Sequence, residues 1–220
     1  FVAHGRNPRL IDGNGTVLRE DNVKSLALDK GVVKYPDNVL LPLIPEQTIE
    51  FFVKGGAQAQ YAGLVRCNAD RDSANVPVWA ISASGDAASG QCKKLRIRCA
   101  TQAEDGKINE SAVNEDTPAV FGDYRWHHVA LTLKQSLDAD GKRQTELALY
   151  MDYSSEPVWT KTVLGSLYYG SGYAGVWLGA SSSATAFFKG RIDELRVSRG
   201  ILKPAQFLRF AKNGLAIVIR

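Results

Sequence analysis

Apolar side chains recur at every second position through most of this chain. In Thr48–Lys54, Ile49, Phe51 and Val53 face one way while Thr48, Glu50 and Lys54 face the other. Leu95, Ile97 and Cys99 alternate with Lys94, Arg96 and Arg98, and Leu147, Leu149 and Met151 alternate with Glu146, Ala148, Tyr150 and Asp152. Such a period marks strands with one face packed and one face wet, the habit of antiparallel sheets. Ser25–Leu28, Tyr61–Cys67, Val76–Ala83, Trp126–Leu133, Val158–Leu164, Gly175–Gly179 and Arg191–Val197 read as further strands. Turn clusters such as Asn14-Gly15, Ser84-Gly85-Asp86 and Asp140-Gly141 separate them. One stretch reads as helix, Pro204 to Lys212, with proline in its first turn and Asn213-Gly214 as a stop. Thr101 to Ala119 is polar and aperiodic and reads as a long loop. The expected fold is all-β, an antiparallel two-sheet jelly-roll sandwich with one short C-terminal helix.

The chain has 220 residues, the size of one large domain, and no linker divides it. A single domain over 1–220 is therefore expected, with 1–22 and 213–220 as flanks that match nothing. Its longest apolar runs, Val39–Ile44 and Leu215–Ile219, fall short of the roughly 18 residues a membrane span needs. The net charge of +4 is spread evenly along the chain, which argues against a nucleic-acid partner, since those proteins cluster their cations. Three cysteines give neither a disulfide framework nor a Cys-x-x-Cys pair, and Cys67 and Cys99 end apolar runs as buried thiols do. Because the first residue is Phe1 and the single methionine is Met151, the sequence reads as part of a longer chain or as one cleaved of a signal peptide.

Six segments in order, Leu26–Gly31, Thr48–Lys54, Trp126–Leu133, Leu147–Asp152, Val176–Ser181 and Phe188–Phe207, resemble the laminin-G-like branch of the concanavalin A-like lectin/glucanase superfamily. The shared pattern is a Trp-His-His-Val-Ala strand, a strand ending in Tyr-x-Asp, a leucine-glycine strand and a closing Gly-x-Ile-Asp-Glu-x-Arg. The likeness covers about Val23 to Phe210. One departure is Asp152-Tyr153, where the family usually has Asp-Gly, so that turn is expected to be rebuilt. The resemblance implies a secreted or cell-surface jelly roll, of bacterial flavour, that binds glycans or proteins, often with structural calcium. For the metal it points to Asp193 in the closing segment, with Asp29 as a second ligand; the plainer reading of Asp193 is a salt bridge or a turn cap.

Catalysis finds little support. The glucanase branch places carboxylates at alternate strand positions, so that acid and nucleophile share a cleft. No such triplet occurs here, and the adjacent Asp193 and Glu194 would point to opposite faces. Glu146 and Asp152 share a face by parity but stand roughly 20 Å apart at strand rise. Neighbouring His127 and His128 lack the alternate spacing that two metal ligands on a strand require, and read as one histidine inside and one at the surface. Trp126, on the family's core strand, is expected to be buried.

Candidate ligand contacts fall in two groups. Tyr168, Tyr169 and Tyr173 lie in a glycine-bearing loop, with Trp159 next, and are candidates for stacking on sugar rings; the alternative is ordinary packing under a loop. Lys94, Arg96 and Arg98 share one strand face and would suit a sulfated or uronic glycan, if they are more than the solvated side of a sheet. The expected function is a non-catalytic carbohydrate- or protein-binding module. A glycoside hydrolase or polysaccharide lyase with an unrecognised site, and an accessory domain packed on a neighbour, remain the alternatives.

Overall fold

The computed structural model describes residues 2–3, 10–11, 17–19, 24–34, 45–69, 76–86, 90–170, 175–181 and 186–210. In chain order its strands are β1 (Val2–Ala3), β2 (Leu10–Ile11), β3 (Val17–Arg19), β4 (Lys24–Leu28), β5 (Val33–Lys34), β6 (Glu46–Gly55), β7 (Gly63–Asn68), β8 (Pro77–Asp86) and β9 (Gln91–Gln102). They continue with β10 (Ile108–Val120), β11 (Trp126–Leu137), β12 (Arg143–Met151), β13 (Trp159–Leu164), β14 (Ser166–Leu167), β15 (Gly175–Leu178), β16 (Gly190–Arg199) and β17 (Arg209–Phe210). One antiparallel sheet runs β1-β4-β16-β6-β11-β12-β13, and the other runs β10-β9-β8-β7-β15-β5 with β14 beside β9. A three-stranded sheet, β17-β2-β3, stands apart. The architecture is the expected all-β two-sheet sandwich.

Register explains the core. Ile49, Phe51 and Val53 on β6 stand with Val129, Leu131 and Leu133 on β11 and Leu147 and Leu149 on β12. Opposite them, Cys67, Trp79, Ile81, Ile97 and Cys99 align across β7, β8 and β9. All three cysteines are buried and form no disulfide, and burial pushes the thiols of Cys67 and Cys99 up to about 12.

Two expectations fail for physical reasons. The stretch read as a loop is mostly strand: β10 pairs with β9 along its length. Register shifts between Asn109 and Val113 and between Asp116 and Val120 break its alternation, as bulges do by inserting an unpaired residue. Its position at a sheet edge keeps most of its side chains wet. The expected helix over 204–212 is a single 3-10 turn, Pro204–Gln206, after which the chain extends into β17.

That C-terminal stretch is a strap across the outer face of the first sheet. Thr48 Oγ1 donates to the carbonyl of Gly200 at 2.9 Å and accepts the Leu202 N–H at 2.9 Å, while Leu208 N–H donates to Glu50 Oε1 at 2.8 Å. Thr48, Glu50 and Phe52, which alternation places outward, are consequently buried. His128 shares that outward face by its pairing with Phe52 and is also buried, whereas His127, on the inward parity at the rim, is half-buried. One histidine is thus inside as expected, but the strap rather than the core encloses it. Trp126 corrects its expectation: it is half-buried on the outer face, against Phe52 and Leu208.

The rebuilt turn at Asp152-Tyr153 holds both residues at positive φ, 51° and 64°, where an L side chain costs roughly 1–2 kcal/mol. Their side chains compensate. Asp152 Oδ1 accepts the His128 N–H at 3.0 Å. The Tyr153 ring stacks on His128 with centroids 4.9 Å apart and 12° between planes, and the Arg209 guanidinium lies 5.4 Å from the Tyr153 ring centre.

Candidate functional site

Strand parity places one row of side chains on the outer face of the second sheet: Arg66 on β7, Ala80 and Ser82 on β8, Arg96 and Arg98 on β9, and Asn114 and Asp116 on β10. The residues in the middle of that row are small. Together with Gly63, Ala180 and Ala186 they leave a cavity of 530 Å³, walled by the three arginines and also lined by Gln60, Tyr61 and Ser181. Gly63 is fixed in this role, because a Cβ there would lie 2.1 Å from the Ala180 carbonyl oxygen. Tyr61, half exposed and with φ of 63°, lines the pocket too, its ring centre 5.3 Å from the Arg96 guanidinium carbon.

The three cations differ in their surroundings. Arg96 is fully engaged by β10: Nη1 pairs with Asp116, Nε donates to Asn114 Oδ1 at 2.9 Å and Nη2 donates to the Asn114 carbonyl at 3.0 Å. Arg66 is buried and donates through Nε to Asn68. Burial, reinforced by the charge of Arg98, brings its guanidinium down to about 10. Arg98 has no hydrogen-bond or ion-pair partner among the described residues, and its Nε is a buried donor left unsatisfied. Burial first, then the neighbouring Arg96 charge, lowers its pKa as well. A half-buried guanidinium without an acceptor is costly. The arrangement is ready to accept an anion.

Of the expected basic stripe, Arg96 and Arg98 line the cavity, while Lys94 lies outside the lining, exposed at the far end of the row. Arg66 and Tyr61 were missed. Arg66 was detectable, since it alternates with Val65 and Cys67 and therefore points outward. The aromatic group is dispersed. Tyr169 is buried and its hydroxyl accepts the Gln47 Nε2–H at 2.7 Å, so it offers no face to a ligand. Tyr168 and Trp159 are half-buried and pack against the core. Tyr173 lies outside the described residues.

The two carboxylates expected to hold calcium do not form one donor set. Ile192 pairs with Leu26, which puts Asp193 opposite Ser25, four strand residues from Asp29, or about 13 Å at strand rise. Oxygens shared by one calcium ion each lie within 2.3–2.6 Å of it. Asp193 instead caps the Glu194 N–H at 2.9 Å, and Asp29 faces Lys189 at 3.8 Å. Among the described residues no three His, Cys, Asp or Glu side chains converge as a metal site. As placed, Asp193 and Asp29 do not share one such ion.

Two further ionisable groups are structural. Glu50 is fully buried; burial works against its charge, but hydrogen bonds from His128, the Leu208 N–H and Arg196 prevail and hold its carboxyl below the usual range. His127 bridges Asp152 through Nδ1 and Asp123 through Nε2, both at 2.8 Å. Ionised carboxylates only accept, so the two bonds form together only when both ring nitrogens carry protons. The Asp152 bond is foremost in raising the His127 pKa, over the opposing effect of burial, and Asp123 adds to it.

Comparison with known proteins agrees with this fold. No curated protein matches the sequence. The carbohydrate-binding module CBM40 of the Ruminococcus gnavus IT-sialidase, bound to α2,3-sialyllactose, superposes with a TM-score of 0.53 at 17% identity, over 82% of this chain and 92% of that one. The LG4-5 domains of the mouse laminin α1 chain give 0.50 at 12% identity, over 93% of this chain and 45% of that one. The NanB sialidase of Streptococcus pneumoniae gives 0.51 at 15% identity, over 80% of this chain and 26% of that one. The profile of a laminin-G family matches residues 29–206, and on that span the chain belongs to the concanavalin A-like lectin/glucanase superfamily.

Proposed function

We propose that this chain is a non-catalytic glycan-binding module of a secreted or cell-surface protein, and that the pocket of Arg66, Arg96 and Arg98 takes an acidic sugar. The observation that carries the reading is Arg98, a guanidinium without an acceptor among the described residues and with a buried, unsatisfied Nε, at the wall of a 530 Å³ cavity. Around it the lining alternates small apolar groups with neutral donors and acceptors, the Ser82 and Ser181 hydroxyls and the Gln60 amide. That mixture suits a sugar's apolar faces and hydroxyls. Most glycoside hydrolases work through a pair of carboxylates at the scissile bond, and the described lining contains none. A sialyllactose-bound module among the structural neighbours makes sialylated glycans a natural member of the test panel.

The test is titration calorimetry against glucuronides, sialyllactose, heparin fragments and neutral oligosaccharides, with reducing ends followed in parallel. Binding in the roughly micromolar to millimolar range is expected for acidic members alone. It should weaken at least tenfold in Arg98→Gln, with the melting temperature unchanged. Affinity indifferent to Arg98→Gln, silence across the panel, or release of reducing ends would overturn the proposal.

A further inference from the structure

Arg98 and Asn114 stand directly opposite each other across β9 and β10, as do Arg96 and Asp116. The hydrogen bonds do not follow that pairing. Asn114 gives both its side-chain and its backbone oxygen to Arg96, one step along β9, and so leaves its own neighbour Arg98 with no acceptor among the described residues. Asp116 takes the remaining terminal nitrogen of Arg96. All three nitrogens of Arg96 are therefore committed to β10 by one carboxylate and one asparagine. The pocket displays several guanidiniums, yet one of them is locked and locally neutralised.

We infer that Asp116 is a specificity-determining residue of the pocket: by holding Arg96 it leaves Arg98, beside the buried Arg66, to meet the ligand and favours a single planar carboxylate over a more highly charged anion. A lone guanidinium fork matches a carboxylate through two parallel N–H···O bonds. A phosphate monoester carries close to two charges above its second pKa of about 6; Asp116 withholds Arg96 from it, and Arg66 is buried with its Nε given to Asn68. The aspartate also repels any anion in the pocket, and Coulomb repulsion grows in proportion to the ligand's charge. It thus penalises a dianion twice as strongly, in free energy, as a monoanion. Asp116 is exposed and its side chain is not part of the cavity lining, so it acts through Arg96 and through its field rather than by contact.

This inference rests on the acidic-sugar reading of the pocket, and the experiment separates the two. Methyl glucuronide, glucose 6-phosphate and methyl glucoside are titrated at pH 8 into the wild type, Arg98→Gln, Asp116→Asn and, as a second probe, Asp116→Ser. The wild type should bind the glucuronide, bind the phosphate at least tenfold more weakly, and ignore the glucoside. In both Asp116 variants the glucuronide should gain about threefold and the phosphate about tenfold, the square following from the doubled charge. Equal gains for the two anions, or no gain while Arg98→Gln still abolishes glucuronide binding, would refute the role of Asp116 and leave the pocket reading standing. No binding of either acid by the wild type would sink both.

Discussion

Glu50→Gln isolates the energetics of the strap. In the native chain the carboxylate accepts from His128 Nε2 at 3.1 Å, Leu208 N–H at 2.8 Å and Arg196 Nε at 2.8 Å, with a further bond from Arg196 Nη2. The amide keeps one acceptor oxygen but turns an NH2 group toward donors and removes the charge that compensates Arg196. Removing one member of a buried ion pair costs about 3–5 kcal/mol. The Arg196 side chain is 29% exposed and regains some hydration, so the lower end, about 3 kcal/mol, is expected. At roughly 2–4 °C per kcal/mol for a domain of this size, melting should fall by about 6–12 °C at neutral pH. Because the native carboxyl is held below its ordinary pKa, its stabilisation is complete above the unfolded value near 4.3. It is lost as pH falls through the native value. The gap between wild type and variant should close in acid. Circular dichroism melts from pH 3 to 7, with urea titrations at each pH, measure this directly. A variant within about 0.5 kcal/mol of wild type at pH 7, or a gap unchanged at pH 3, would refute the view of Glu50 as the latch of the strap.

Two other substitutions probe the rim. His127 has a raised pKa, so its contribution is complete below the unfolded value near 6.5 and is lost as pH rises through the native one; His127→Gln should flatten the melting profile between pH 6 and 9, and a wild type already flat there would contradict the bridged geometry. Tyr153→Gly relieves a positive φ worth roughly 1–2 kcal/mol but loses stacking on His128, the Arg209 contact and buried ring area, together about 2–4 kcal/mol. A net loss near 1–2 kcal/mol is expected by chemical denaturation, and a stabilised variant would show that the ring contributes nothing.

The strands legible in the sequence were those whose two faces live in different solvents. β9 and β12 alternate because the core takes every second residue, and the residues expected to face inward, Leu95, Ile97, Cys99, Leu147, Leu149 and Met151, are buried. β10 escaped because two bulges reset its parity and an edge strand needs few apolar anchors, here Val113 and Ala119. The outer face of β6 escaped for another reason: Glu50 and Thr48 read as wet, and only a strap more than 140 residues later in the chain could say otherwise. The site was half visible. Arg96 and Arg98 announced themselves as a pair, whereas Arg66 joins them through cross-strand registers, Arg66 to Ala80 and Ala80 to Arg98, that no local window contains. Tyr169 misled because a glycine-rich neighbourhood suggested a loop, while its hydroxyl had a buried partner on β6 in Gln47.

The strap also sets an order of events during synthesis. β6 leaves the ribosome well before the strap, with Glu50 and Phe52 on a surface whose cover is encoded at Gly200 to Leu208. At about 5–20 residues per second, that surface waits on the order of ten seconds or more for its lid. During the wait Phe52 and His128 stand open to any apolar stretch that passes, in the company of unpaired strand edges. A charged carboxylate in the middle of that surface keeps it hydrated and discourages premature partners. When Arg196 and the Leu208 N–H arrive, the same group becomes their acceptor. Glu50 thus serves first as a solubiliser of the nascent chain and afterwards as the clasp of the finished one.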